Sequence, residues 1–227
     1  MARKPVVKKL VSFLDVILEA PHPPTLEPPS ETSRSLLNVP IHALLLIWSY
    51  FSFGLTRDVA GTMARMIPNL ILLQIGYAYV LLSKGKTKRT KKKGRGNDNV
   101  LIYASLFVAL VASIPIFSVL VLFGSPLYDH LKETYLLALH LSFLIIYPLL
   151  VVYQYDLEVW FNLATFNVDS LAQNPVYVSS VAAFVGAWLG VFPIPLDWDR
   201  PWQAWPITLL VGSYLGYFVG GVVHYFL

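Results

Sequence analysis

Apolar residues in this chain form long runs, without the alternating or one-sided patterning of a water-soluble fold. Six runs, at residues 39–56, 65–83, 99–123, 130–153, 176–192 and 206–226, are separated by polar segments. Each is near the ~20 residues that a helix needs to cross the hydrocarbon core of a bilayer. The pattern therefore predicts an all-α polytopic membrane protein with six transmembrane helices in a domain over 36–227. The fifth run is the shortest, and crosses either with little tilt or by leaning on its Trp188 end.

Ahead of the runs, Val6, Val7, Leu10, Phe13, Leu14, Ile17 and Leu18 recur at helical spacing among Arg3, Lys4, Lys8 and Lys9. Asp15 and Glu19 interrupt any apolar core, so the segment is expected to be a basic amphipathic helix on the membrane surface or a frayed tail, not a secretory signal. Residues 21–35, rich in proline, read as an extended linker, and segment 1–35 is expected on the cytosolic side. The stretch 154–175, with Asp156, Glu158 and Asp169 among Leu157, Trp160, Phe161 and Phe166, reads as another amphipathic surface segment.

Composition narrows the class. The chain is 56% hydrophobic and 13% charged, too little polar surface to cover a soluble globule. It has no cysteine, which removes disulfides, thiolate metal sites and a cysteine nucleophile. The net charge of +4 does not point to nucleic acid, because the cations border apolar runs. Lys84, Lys86, Lys88, Arg89, Lys91, Lys92, Lys93 and Arg95 form one block between the second and third runs, and read as a cytosolic loop with a secondary affinity for anionic lipid. With the N-terminus and this loop in the cytosol, thirteen of the 17 Lys and Arg lie on that side. Arg57, Arg65, Lys132 and Arg200 lie on the other. That bias predicts six spans with both termini cytosolic.

Within the runs, Pro115 and Pro148 are expected to kink the third and fourth spans. Asn69, Gln74, His140 and His224 are polar at depth, where an interhelical hydrogen bond is their ordinary use. Ala182, Gly186 and Gly190 repeat every fourth position, as do Gly212, Gly216 and Gly220. Each set makes a flat stripe on one helix. The stripes either face each other within a hairpin or turn at least one face to another subunit.

The segment joining the last two runs is the most unusual. It reads Gly186-Ala187-Trp188-Leu189-Gly190, then Pro193-Ile194-Pro195-Leu196-Asp197-Trp198-Asp199-Arg200-Pro201-Trp202-Gln203, then Trp205-Pro206-Ile207. Four prolines fix φ and withhold backbone donors, so this is a stiff turn. Indoles favour the boundary between hydrocarbon and water, yet anchoring alone does not account for Asp197, Asp199 and Arg200 set among the rings. The string closely resembles the signature of the PIG-F family, whose members are small multi-pass subunits of the ethanolamine phosphate transferases that act on glycosylphosphatidylinositol (GPI) in the endoplasmic reticulum. The resemblance covers about a tenth of the chain. It implies an endoplasmic reticulum membrane protein and a reaction in the lumen, the side on which the charge bias independently expects the turn.

Three function classes compete. The segments opposite the cytosol, 57–64, 124–129 and 193–205, hold few metal-ligand or phosphate-cradling residues, so no catalytic, cofactor-binding or metal-ligating residue is assigned. The resemblance implies a non-catalytic subunit that binds and stabilises large multi-pass catalytic subunits. Its candidate partner or lipid contacts are Asp197, Trp198, Asp199, Arg200, Trp202 and Trp205. Gly186, Gly190, Gly212, Gly216 and Gly220 serve helix packing. The alternative is a small membrane enzyme or lipid carrier working on phospholipid or GPI headgroups with Asp197, Asp199 and Arg200. A solute transporter is disfavoured by the lack of internal repeats or charged residues at mid-membrane.

Overall fold

The computed structural model describes residues 38–89, 98–154, 160, 161, 165 and 174–226. The N-terminal helix and linker expected over 1–35, the cations from Lys91 to Arg95 and most of the 154–175 stretch lie outside these residues. The described chain is helical: α1 His42–Ser52, α2 Val59–Arg89, α3 Asp98–Leu122, α4 Leu131–Leu141, a π turn Ser142–Ile146, α5 Tyr147–Tyr153, α6 Pro175–Leu189 and α7 Ile207–Phe226. All six apolar runs are helices. Among the described residues, four segments are long and apolar enough to cross a membrane: Val59–Ser83 of α2, α3, the continuous Leu131–Tyr153 and α7. Helices α1 and α6 have 11 and 15 residues and fall short of that length.

Local chemistry sets these ends. Gly54, at φ 86°, closes α1: its N–H bonds Phe51 O at 3.2 Å, and Leu55 N bonds Tyr50 O at 3.0 Å. This is the Schellman pattern, which needs a left-handed residue that glycine supplies without a Cβ clash. Gly124, at φ 92°, closes α3 in the same way through Leu120 and Val121. Asp58 caps α2 by accepting from Gly61 N at 2.9 Å, and pairs with Arg65 at 3.5 Å. The cap starts α2 six residues before its apolar run, and the same helix continues into the basic block as far as Arg89. Asn174 caps α6, accepting from Val176 N at 2.9 Å, with Pro175 in the first turn.

The fourth apolar run is the centre of the bundle. Its most apolar window is 72% buried, against 17% for α3, whose Tyr103, Phe107, Leu110 and Ile114 point outward. Pro148 has no N–H to offer Leu144, and its ring crowds that carbonyl. The helix accommodates it with the π turn, in which Tyr147 N reaches Ser142 O. Pro115 and Pro68 sit inside α3 and α2 without dividing them into separate elements.

His140 lies just before that turn and is fully buried. Its Nε2 is 3.2 Å from Met63 O, and since a carbonyl only accepts, Nε2 carries the proton. Nδ1 is then the acceptor, 3.0 Å from Tyr50 Oη and 3.1 Å from Tyr214 Oη, and the two hydroxyls are 3.1 Å apart. One hydroxyl donates to Nδ1 and the other donates to the first, so every proton has an acceptor. This closed node joins α1, α2, α4 and α7 and gives His140 the interhelical role expected of a polar group at depth.

Candidate docking surface at the tryptophan and proline turn

Helices α6 and α7 form a tight antiparallel hairpin. A Cβ placed on Gly186 would run into the Gly212 carbonyl, and one on Gly212 into the Gly186 carbonyl. Gly190 lies against Thr208, Gly216 against Ala182, and Gly220 against Ala182 and Ser179. The two small-residue stripes thus face each other, so dispersion between closely approaching backbones holds the hairpin. Its closing turn leaves the bundle as one continuation of two locked helices.

After α6 the chain makes successive tight turns, with Ile194 N bonding Val191 O at 3.1 Å and Trp198 N bonding Leu196 O at 2.8 Å. Asp199 sits at φ 45°, a left-handed conformation that aspartate tolerates better than most residues. Pro201, Trp202 and Gln203 form a short 3₁₀ turn. Gln203 holds the whole segment together. Its Nε2 donates to Pro193 O and to Leu196 O, both at 2.7 Å, while its Oε1 accepts from Arg200 N at 2.9 Å. Gln203 N also donates to Arg200 O at 2.9 Å. One amide therefore replaces hydrogen bonds that the prolines cannot make.

The candidate contact residues divide into an outward and an inward set. Asp197, Trp198, Asp199 and Arg200 are exposed, and Trp202 is half-buried with its ring edge-on to Trp198, centroids 5.8 Å apart. Asp197, Asp199, Arg200 and Gln203 line, with Ile194 and Leu196, an open concavity of about 600 Å³. No ion pair among the described residues joins Arg200 to Asp197 or Asp199. Trp205 points the other way: its Nε1 donates to Thr134 Oγ1 at 3.0 Å, and Thr134 Oγ1 donates to Pro126 O at 2.9 Å. It fastens the turn to the start of α4 and to the loop before it. Trp188 is exposed on the last turn of α6, edge-on to Phe192 at 5.8 Å.

Sequence reasoning quoted Gln203 within the motif but gave it no role. The signal was present: a glutamine three residues after the residue preceding a helical turn is the spacing at which a side chain reaches back to a backbone N–H.

The turn lies within a region that known proteins share. Residues 38–225 match the GPI biosynthesis protein family Pig-F. The chain belongs to that family. It is 47% identical over 192 residues to "Glycosylphosphatidylinositol anchor biosynthesis protein 11" of Debaryomyces hansenii, covering 83% of this chain and 81% of the relative. The protein of the same name from Yarrowia lipolytica is 42% identical over 194 residues, covering 85% and 83%. A "PIGF/3-ketodihydrosphingosine reductase fusion protein" of Schizosaccharomyces pombe is 44% identical over 117 residues, covering 50% of this chain and 23% of the fusion. No solved structure matches the chain. This Pig-F family member is accordingly a membrane protein of GPI-anchor biosynthesis.

Proposed function

We propose that the chain is a non-catalytic subunit that binds and stabilises the large multi-pass catalytic subunits of GPI ethanolamine phosphate transferase in the endoplasmic reticulum membrane. The observation that carries this reading is the turn itself. Gln203 stiffens it, Trp205 fastens it to α4, and its charges face outward without pairing to one another. A preformed surface of this kind loses little conformational freedom on association, which favours binding. Trp198, Trp202 and Arg200 are of the residue types that carry most energy at protein interfaces.

The proposal includes six spans with both termini cytosolic and the turn in the lumen. Support comes from the thirteen-to-four partition of Lys and Arg. It also comes from packing: α6 runs beside α7 from Thr208 to Gly221, and α1 reaches both Tyr214 and Tyr217 of α7. Two short helices that accompany a long one through the bundle cross much of the same depth.

Affinity capture of the tagged chain from membranes, with mass spectrometric identification of what accompanies it, tests the proposal. A large multi-pass phosphoryl-transfer protein recovered in near-equal amount is expected. Transfer of ethanolamine phosphate by the chain purified alone, abolished in Asp199→Asn, would replace the subunit reading with a small membrane enzyme.

A further inference from the structure

The node at His140 marks a common level in the bundle, since Tyr50 of α1, Met63 of α2, His140 of α4 and Tyr214 of α7 all meet there. Toward the end that carries the turn, these helices extend unequally. α4 begins at Leu131, nine residues from His140, and α7 at Ile207, seven from Tyr214. At 1.5 Å per residue these ends stand ~14 Å and ~10 Å above the node. α1 stops at Ser52, two residues beyond Tyr50, and α2 begins at Val59, four before Met63. They rise only ~3 Å and ~6 Å. α3 belongs with the tall helices: Ala109 O accepts from Ser142 Oγ near the node, and the helix runs on to Leu122. This end of the bundle is a step, low at the corner between α1 and α2.

The exposed side chains change character at the same step. On the low corner Ser52, Thr56, Arg57, Asp58 and Arg65 are exposed, and Trp48, one turn before Ser52, is 72% exposed. Arg65 bends back toward the start of α2, its Nε donating to Gly61 O at 3.1 Å and its Nη2 to Thr62 Oγ1 at 3.2 Å. A cation at the edge of hydrocarbon snorkels in this way, and an exposed indole favours the same boundary. Across the bundle, α3 exposes Leu110, Val111 and Ile114 at the level of the node, and Lys132 of α4 stands in the first turn, far above it. A flat bilayer cannot satisfy both sides. A surface level with the starts of α4 and α7 buries Arg57, Asp58 and Arg65 in hydrocarbon, and one level with the node leaves the upper half of α3 bare in water.

We propose that the bilayer is thinned at the α1–α2 corner, where phospholipid headgroups descend beside α1 to about the level of His140 and Arg57 and Arg65 hold their phosphates. Local thinning is the ordinary response of lipid to a short helix. Charge agrees with it, because Asp58 caps α2 and pairs with Arg65, so two cations face one carboxylate. The inference rests on the chain spanning a membrane, and is independent of which protein the turn engages.

The chain has no cysteine, so one introduced thiol carries a single label. Full-length Ser52→Cys and Val111→Cys, each bearing a bimane, are compared in phosphatidylcholine vesicles that contain lipid with a nitroxide on the headgroup or at mid-chain. Site 52 is expected to be quenched several-fold more by the headgroup nitroxide than by the mid-chain one, and site 111 the reverse. Adding Arg57→Gln and Arg65→Gln should lower headgroup quenching at site 52 about twofold or more; if that variant does not accumulate, Arg57→Gln alone, on the exposed loop, replaces it. Stronger quenching by the mid-chain nitroxide at both sites would mean a flat bilayer and overturn the proposal. Weak quenching of site 52 by both lipids, as in a water-filled recess, would also overturn it, and headgroup quenching unchanged by loss of the arginines would remove their part.

Discussion

Trp205 Nε1 lies 3.0 Å from Thr134 Oγ1, and this one bond connects the turn between α6 and α7 to the central helical segment of the bundle. Thr134 passes the connection to Pro126 O in the preceding loop. Thr134→Val removes the acceptor of one bond and the donor of the other at nearly constant volume. It is expected to cost about 1–3 kcal/mol, because a part-buried indole N–H and a carbonyl both lose a partner. Thermal unfolding in detergent measures the loss. A Trp205→Phe, Thr134→Val double variant should be less destabilised than the sum of the single changes.

Gln203→Leu should leave the helices in place and loosen the turn. Three loop groups lose their partner at once, but they lie near solvent and can bond water, so the melting temperature should fall only slightly. Limited proteolysis should instead cut between Pro193 and Arg200 in the variant and spare the native chain. Equal resistance in both would mean that the prolines alone stiffen the turn.

The glycines differ in what surrounds them. Gly216→Leu must separate α7 from Ala182, and is expected to cost on the order of 1–3 kcal/mol or more through overpacking and lost contact, with reduced abundance. Gly76 has nothing within 4 Å of a would-be Cβ, so Gly76→Ala should be tolerated or slightly stabilising, as alanine favours helix by up to ~1 kcal/mol. Similar loss in both variants would show that glycine is needed for something other than close approach.

Much of this was legible in the sequence, for identifiable reasons. The helices α1 to α7 all follow from the six apolar runs, because burial in a bilayer is set by length and hydropathy. The hairpin could be narrowed to two arrangements, since a four-residue repeat of small side chains shows which face is flat but not what lies against it. Helix ends were less legible. Asp58 starts α2 ahead of its apolar run and Gly54 ends α1 within its own, because caps act through backbone geometry that hydropathy does not register. In the turn, the charged residues stood out by contrast with their neighbours. Gln203 did not, being uncharged and short of any periodic pattern, although it makes more of the turn's hydrogen bonds than any other side chain described there.

Orientation has its own check. A glycosylation acceptor on a flexible spacer inserted after Pro195 should be modified in cells, and one inserted near Gly94 should not. The opposite pattern would place the turn in the cytosol.

If the proposed subunit role holds, the turn is the surface that engages the catalytic partner, and Arg200 is its most discriminating residue. A guanidinium can pair with a carboxylate or phosphate at two points while neighbouring indoles exclude water. Within its own chain it pairs with neither aspartate. The decisive measurement is quantitative capture of the GPI ethanolamine phosphate transferase catalytic subunit from membranes carrying Arg200→Glu. Recovery is expected to fall about tenfold or more, as for loss of a charge pair at an interface, while the abundance of the chain itself is unchanged. Recovery equal to that with the native chain would contradict the account.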